Sequence, residues 1–208
     1  MVAKRLFDLF LAGLGLIVLS PVMVGAAWRI SSGRDGPVLY RGVRVGIGGR
    51  PFVMYKFRTM VIDADRIGGP STANDDPRLT AVGRTLRRYK LDELPQLFNV
   101  LRGDMSIVGP RPQVLEEVRL YSPEERQLLT VKPGITDWAS LRFHNEGEIL
   151  EGHTDPNLAY AQLIRPEKMR LALAYVRTGS VIEDVRIVLA TVRLAIRSIQ
   201  ERPAEPTS

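Results

Sequence analysis

The chain has 208 residues, 45% hydrophobic and 25% charged, enough for one domain with a full apolar core and too few for two independent ones. With 29 Lys+Arg against 23 Asp+Glu its net charge is +6, a surface that attracts phosphates of any source: nucleotide, anionic lipid or nucleic acid. The lack of cysteine excludes disulfides and thiolate zinc sites, and two histidines, His144 and His153, are too few for an all-histidine metal cluster; a hard cation on carboxylates remains open.

From Leu9 to Trp28 no residue is charged, and the run makes about 30 Å of straight helix, roughly one bilayer core. Ser20-Pro21 stands near its middle. There the proline has no N–H for the Ile17 carbonyl and its ring crowds that oxygen, so a helix-break-helix is expected, with the Ser20 hydroxyl helping to satisfy the region. Lys4 and Arg5 precede the run; Arg29, Arg34, Arg41 and Arg44 follow it. Cytoplasmic flanks collect such charges, and a single crossing cannot satisfy both ends, whereas a re-entrant segment can. A proline-kinked span and a cleaved signal peptide are the alternatives, the latter disfavoured by Asp8 and by the basic sequence downstream.

After a Gly/Ser/Arg-rich turn, Val38 to Val45 and Pro51 to Met60 read as two strands of a hairpin joined at Gly46-Ile47-Gly48-Gly49. A regular second strand puts Lys56 and Arg58 on one face, where two cations would receive a diphosphate or simply face solvent. Gly68 to Arg78 has the composition of a mobile loop, a possible lid, and leads into a basic helix-like stretch, Leu79 to Tyr89, with Arg84, Arg87 and Arg88. Asp92-Glu93-Leu94-Pro95 then opens a short helix that ends at Gly103, with Asp92 suited to its N-cap. Pro166 to Thr178 and Ser180 to Gln200 read as two more helices. The second has an apolar seam of Val181, Val185, Val188, Val192, Ala195 and Ile199 and a basic stripe of Arg186, Arg193 and Arg197, fitting either a helix on an anionic membrane or a core helix with a solvated face. A frayed tail is expected at 201–208. The fold class is therefore α+β, mainly helical with a small β-hairpin or sheet, a re-entrant N-terminal helix and amphipathic interfacial helices. Residues 1–30 would lie in the membrane and 31–200 would form a catalytic domain continuous with them.

Asp92-Glu93 alone reads as a helix cap with a favourable dipole charge. Its neighbourhood is basic, with Lys56, Arg58, Arg84, Arg87 and Arg88 upstream, and Gly109-Pro110-Arg111-Pro112 downstream pins a guanidinium suited to bidentate phosphate binding. KFRTMVIDAD (56–65), DDPRLTAVGRTLRRYKLDELPQLFNVLRGDMSIVGPRP (75–112) and KPGIT (132–136), together with the Ser-Pro-broken helix, closely resemble the bacterial sugar transferase family, the monotopic phosphoglycosyl transferases. The likeness covers roughly residues 4–197.

The resemblance implies a membrane-bound enzyme that moves a sugar-phosphate from a UDP-sugar to polyprenyl phosphate, releasing UMP and initiating surface glycan or exopolysaccharide assembly, on the cytoplasmic face of the bacterial inner membrane. It implies Asp92 as nucleophile, Glu93 as a ligand of Mg²⁺, and Lys56, Arg58, Arg88 and Arg111 at the substrate phosphates. An aspartate of ordinary pKa, about 3.9, is already ionised at neutral pH and needs no separate base. Nucleic acid is not an expected partner, and the oligomeric state is open. A non-catalytic, membrane-anchored basic module binding anionic lipid or nucleic acid is the alternative; +6 is modest for a nucleic-acid binder, and 7% aromatics leave little for base stacking. Asp63-Ala-Asp65 is formally the D-x-D metal signature of glycosyltransferases of another fold, and is read here as a solvated or helix-starting pair. After KPGIT the chain departs from the commoner Gly-Leu-Trp-Gln, with Asp137-Trp138-Ala139-Ser140-Leu141-Arg142-Phe143 and then His144 to Glu148, so no site residue is assigned there. The family's extra N-terminal spans are missing from this sequence, which resembles the minimal catalytic form.

Overall fold

The computed structural model describes residues 2–33, 36–68 and 71–200; the tail expected at 201–208 and the flanking Arg34 lie outside them. The apolar N-terminal run and both its flanks form one helix, α1 (Val2–Gly33), 32 residues and about 48 Å long. Among the described residues it alone is long and apolar enough to cross a membrane. The helix-break-helix expected at Ser20-Pro21 is corrected: the helix runs unbroken through Pro21, because the Ile17 carbonyl that Pro21 cannot serve accepts instead from Ser20 Oγ at 2.8 Å.

One stripe of α1 is buried, at Asp8, Ala12, Ala26 and Ile30, while Leu6, Phe10, Leu14, Ile17, Val18, Val22, Val24 and Trp28 stand exposed. Both ends of the stripe rest on the same domain. Ala12 packs with Leu97 and Val100; Ala26 and Ile30 pack with Phe57 and Leu86. Lys4 and Arg5, which mark a cytoplasmic flank by composition, are structural ligands here. Lys4 Nζ donates to Asp184 Oδ2 at 2.7 Å, to the Val108 carbonyl at 3.0 Å and to the Tyr175 hydroxyl at 3.2 Å. Arg5 donates to the carbonyls of Val100 and Leu101, and buried Asp8 accepts from Ser106 Oγ and the Ile107 N–H.

Strands β1 (Leu39–Val45) and β2 (Pro51–Phe57) form the expected antiparallel hairpin, Arg41 facing Tyr55, turned by Gly48 and Gly49 at φ 66° and 76°. β2 stops at Phe57, short of the expected Met60. A short α2 (Ala64–Ile67) follows. Of the loop expected at Gly68 to Arg78, residues 69 and 70 lie outside those described, and residues 71–78 are tied down rather than free to serve as a lid: Ala73 is in a buried cluster with Leu150, Ala159 and Ile164, Asn74 N–H donates to the Gly147 carbonyl, and Arg78 pairs with Asp76 while donating to the Ala64 and Ser71 carbonyls. Of the D-x-D pair, Asp63 is exposed at the start of α2 and the Asp65 side chain lies outside those described.

Helix α3 (Ala81–Arg88), capped by Thr80 Oγ1, leads through a 3₁₀ turn (Leu91–Glu93) into α4 (Gln96–Arg102), which ends at Gly103 with φ 93°. Two three-residue strands unseen in the sequence, β3 (Ser106–Val108) and β4 (Gly134–Thr136), pair in parallel and bring the GPRP and KPGIT segments together. The backbones nearly touch: a Cβ on Gly134 would lie 2.1 Å from the Gly109 nitrogen. Around them stand α5 (Leu115–Arg119), a 3₁₀ segment (Glu125–Thr130), α6 (Trp138–Arg142), α7 (Glu146–Leu150), α8 (Pro156–Ala159), a π-helical turn (Tyr160–Ile164), α9 (Arg165–Thr178) and α10 (Val181–Gln200).

The main core, with Ala12, Met54, Leu97, Val100, Met105, Val108, Tyr175 and Ile187, lies where α1, β2, α4, β3, α9 and α10 meet. α10 turns a different face inward from the seam read in the sequence. Asp184 and Ile187 are fully buried, whereas Val181, Val185, Val192 and Ala195 are exposed. The Lys4–Asp184 pair sets this rotation, because a buried carboxylate must follow its cation.

Candidate active site

The dyad sits in the 3₁₀ turn between α3 and α4. Lys90, at φ 56°, reverses the chain into it, a conformation uncommon outside glycine, asparagine and aspartate. α4 is held against the hairpin by Asn99, whose Oδ1 accepts from Tyr55 N–H and whose Nδ2 donates to the Val53 carbonyl. Lys56, the next residue on β2, thereby reaches the turn.

Glu93 is the hub. Its Oε1 accepts from Lys56 Nζ at 3.0 Å and from Arg111 Nη2 at 2.6 Å, and its Oε2 accepts from Arg111 Nη1 at 3.2 Å. Burial alone would raise its pKa, but Arg111 and Lys56 outweigh it and hold the carboxyl well below the usual range. The same burial draws the Lys56 ammonium down, against the pull of Glu93, whereas Glu93 drives the Arg111 pKa up.

Asp92 differs. It is 6% exposed and its Oδ1 has no hydrogen-bond partner. Burial pushes its carboxyl up, against Lys56, Arg87 and Lys90 and helped by the charge of Glu93. Two expectations are corrected. Asp92 is not the N-cap of α4, a position taken by Pro95, and its carboxyl is not at its ordinary pKa, because the turn carries it into the protein.

Of the four cations expected at phosphate, Lys56 and Arg111 converge on Glu93. Arg88 is half-buried in the last turn of α3, the helix that enters the dyad turn. Arg58 turns elsewhere: its N–H bonds to the Val38 carbonyl and its Nε donates to the Pro37 carbonyl. Period-2 alternation fails there because the strand has ended. Arg87, named in the basic neighbourhood, acts on Asp92 together with Lys90, which was not singled out; nor was Gln96, buried at the start of α4. The spacing of Gln96, one helical turn after Asp92, was the available signal.

The atypical 137–148 segment folds beside Arg111. Glu146 adds to the upward shift of that guanidinium and pairs with Lys168, whose ammonium stands 5.2 Å from the Tyr160 ring centre. Asp137, 2% exposed, caps α6 by accepting from Ser140 N–H, and its pKa is raised by burial. His144 is on the surface.

Among the described residues no three His, Cys, Asp or Glu side chains cluster as a metal cage. Magnesium does not require one, since it takes one or two carboxylates and fills its other positions with water and phosphate. The unpartnered Asp92 Oδ1 and the lightly used Glu93 Oε2 fit that donor set.

Residues 1–198 match the family model described as bacterial sugar transferase. The chain is 40% identical over 198 residues to the UDP-glucose:undecaprenyl-phosphate glucose-1-phosphate transferase of Escherichia coli (strain K12), covering 91% of this chain and 39% of that protein. It is 36% identical to the uncharacterized sugar transferase EpsL of Bacillus subtilis (strain 168), covering 95% and 89%. It is 44% identical over 149 residues to the undecaprenyl-phosphate galactose phosphotransferase of Salmonella typhimurium, covering 64% and 31%. The chain thus spans about two fifths of the length of its Escherichia coli relative. With the family model matched over nearly its whole length, the chain belongs to the bacterial sugar transferases.

Proposed function

We propose that this chain transfers a sugar 1-phosphate from a UDP-sugar to polyprenyl phosphate, with Asp92 as nucleophile. The observation that carries the reading is a buried carboxylate oxygen without a partner, beside two cations held in place by its neighbour Glu93. Such an oxygen has no donor to give up before it attacks. In the first step Asp92 bonds to the sugar-bearing phosphorus and the bridging P–O bond breaks, its electron pair leaving on UMP. In the second, an oxygen of polyprenyl phosphate bonds to the same phosphorus and the aspartyl P–O bond breaks, giving polyprenyl-diphosphate-sugar and free Asp92. No proton changes hands, which suits a site without a histidine.

Lys56 and Arg111 receive the diphosphate, and Glu93 keeps both forks aimed before it arrives. Glu93, together with Asp92 and substrate oxygens, would hold Mg²⁺, which when bound would supply charge neutralisation at the phosphates. The likeness to the Escherichia coli and Salmonella undecaprenyl-phosphate transferases supports undecaprenyl phosphate as acceptor. A non-catalytic basic module explains neither the unpartnered Asp92 oxygen nor that likeness.

The protein works as a monotopic enzyme on the cytoplasmic face of the inner membrane. Support comes from α1, which packs on the same domain toward both its ends, so that neither end is separated from it by a bilayer, and which exposes a broad apolar face. α10 adds Ile182, Val185, Leu189, Val192 and Ile196, exposed along one face beside Arg186, Arg193 and Arg197, as suits a helix lying in the interface. The decisive assay is UMP release by the detergent-solubilised protein with magnesium and a panel of UDP-sugars. Release without lipid, limited to one equivalent and abolished in Asp92→Asn, is expected; release by Asp92→Asn at the wild-type rate sinks the nucleophile assignment.

A further inference from the structure

Two side-chain polar atoms among the described residues are buried without a hydrogen-bond partner: Oδ1 of Asp92 and Nε2 of Gln96. One is an acceptor and the other a donor. They are four residues apart, one in the 3₁₀ turn and the other the first residue of α4. Asn99, three residues further along α4, shows what a structural amide does here, with its oxygen and nitrogen bonded to the backbone of β2. Gln96 is 1% exposed, yet its NH₂ group makes no such bond. Buried donors left open are rare in native proteins because each is costly. The open donor of Gln96, four residues on from the attacking carboxylate, is one that an oxygen of a bound substrate can satisfy.

We propose that Gln96 is a further catalytic residue, whose Nε2 donates to a non-bridging oxygen of the phosphoryl group that Asp92 attacks. The proposal rests on the reading of Asp92 as nucleophile. A lysine or arginine at this position would pair with Asp92 and quench it. A neutral amide binds the phosphoryl oxygen and leaves the carboxylate its charge. While the Asp92–phosphorus bond forms and the bond to UMP breaks, negative charge stays on the non-bridging oxygens, and a donor locked by burial stabilises it without reorganising. Lys56 and Arg111, both engaged by Glu93, supply the long-range charge; Gln96 supplies the directed bond.

The test is Gln96→Met in the full chain, close in volume and without a donor. Its melting temperature should equal or exceed that of the wild type, since an unsatisfied buried group is removed. Single-turnover UMP release should fall about ten- to hundredfold, the worth of a hydrogen bond to a charged group. Magnesium pyrophosphate is expected to stabilise the wild type, and to stabilise the variant less. A lower melting temperature at a wild-type rate would show a structural bond and overturn the proposal, as would an unchanged pyrophosphate response. If the wild type releases no UMP from any UDP-sugar, the transfer reading falls. The pyrophosphate comparison still decides whether Gln96 meets phosphate.

Discussion

Glu93→Gln keeps the shape of the hub and removes its charge. In the wild type three donors meet this carboxylate, at 2.6, 3.0 and 3.2 Å, on a side chain 14% exposed, with Lys56 at 18% and Arg111 at 36%. The glutamine offers one acceptor oxygen and turns an NH₂ group toward cations. Removing one partner of a buried ion pair costs about 3–5 kcal/mol, and the partial exposure of Arg111 points to the lower end, about 3 kcal/mol. That corresponds to about 1 M or more in the urea midpoint at pH 7. The pH dependence is the sharper check. Because the folded pKa of Glu93 is depressed, its contribution is complete above the unfolded value, about 4.3, and is lost as pH falls through the folded one. The gap between wild type and Glu93→Gln should therefore close on acidification. Asp92 has the opposite sign: its raised carboxyl favours folding below about 3.9 and ceases to as pH rises through the folded pKa, so Asp92→Asn gains on the wild type with rising pH. Midpoints measured from pH 3.5 to 8 decide the matter; parallel trends for the two variants, or a gap for Glu93→Gln that widens in acid, would refute this account of the dyad.

Gly134→Ala drives a methyl group to 2.1 Å from the Gly109 backbone nitrogen, where no side chain can give way. A loss of about 3 kcal/mol or more is expected from such overpacking, with UMP release falling as Arg111 shifts; an unchanged melting temperature would contradict the β3–β4 contact. Lys4→Met leaves Asp184, 0% exposed, with the Tyr175 hydroxyl alone and should cost about 3 kcal/mol. Hydrogen exchange should rise over the first turns of α1, and unaltered protection there would count against the docking of this helix.

The hairpin, α9, α10 and the end of α4 at Gly103 were legible because each rests on local chemistry: a glycine turn, a helical period, a left-handed cap. So was the role of Ser20 Oγ, which follows from the proline beside it. What escaped depended on distant partners. Arg58 follows the end of β2, which the Val38 carbonyl sets from across the hairpin. The rotation of α10 depends on Lys4, 180 residues away in the chain, because an apolar seam offers several faces and only an ion pair picks one. β3 and β4, at three residues each, are too short to show a period. The raised pKa of Asp92 follows from burial, which no motif records, and the unpartnered Gln96 amide becomes visible only once every other donor has found its acceptor.

α4 joins two surfaces that are usually separate. Its first turn adjoins the dyad, and its Leu97 and Val100 are packed against the small residues of α1, with Arg5 bonded to the carbonyls of Val100 and Leu101 at its far end. On the proposed reading, with α1 in the membrane and Asp92 as the attacking group, this packing would make the height of Asp92 above the lipid a fixed dimension of the protein. An acceptor whose head group is confined to the plane of the bilayer then needs only to diffuse sideways to meet the phosphorus. On the same reading, a bilayer that thins or tilts would carry Asp92 with it rather than draw substrate and carboxylate apart.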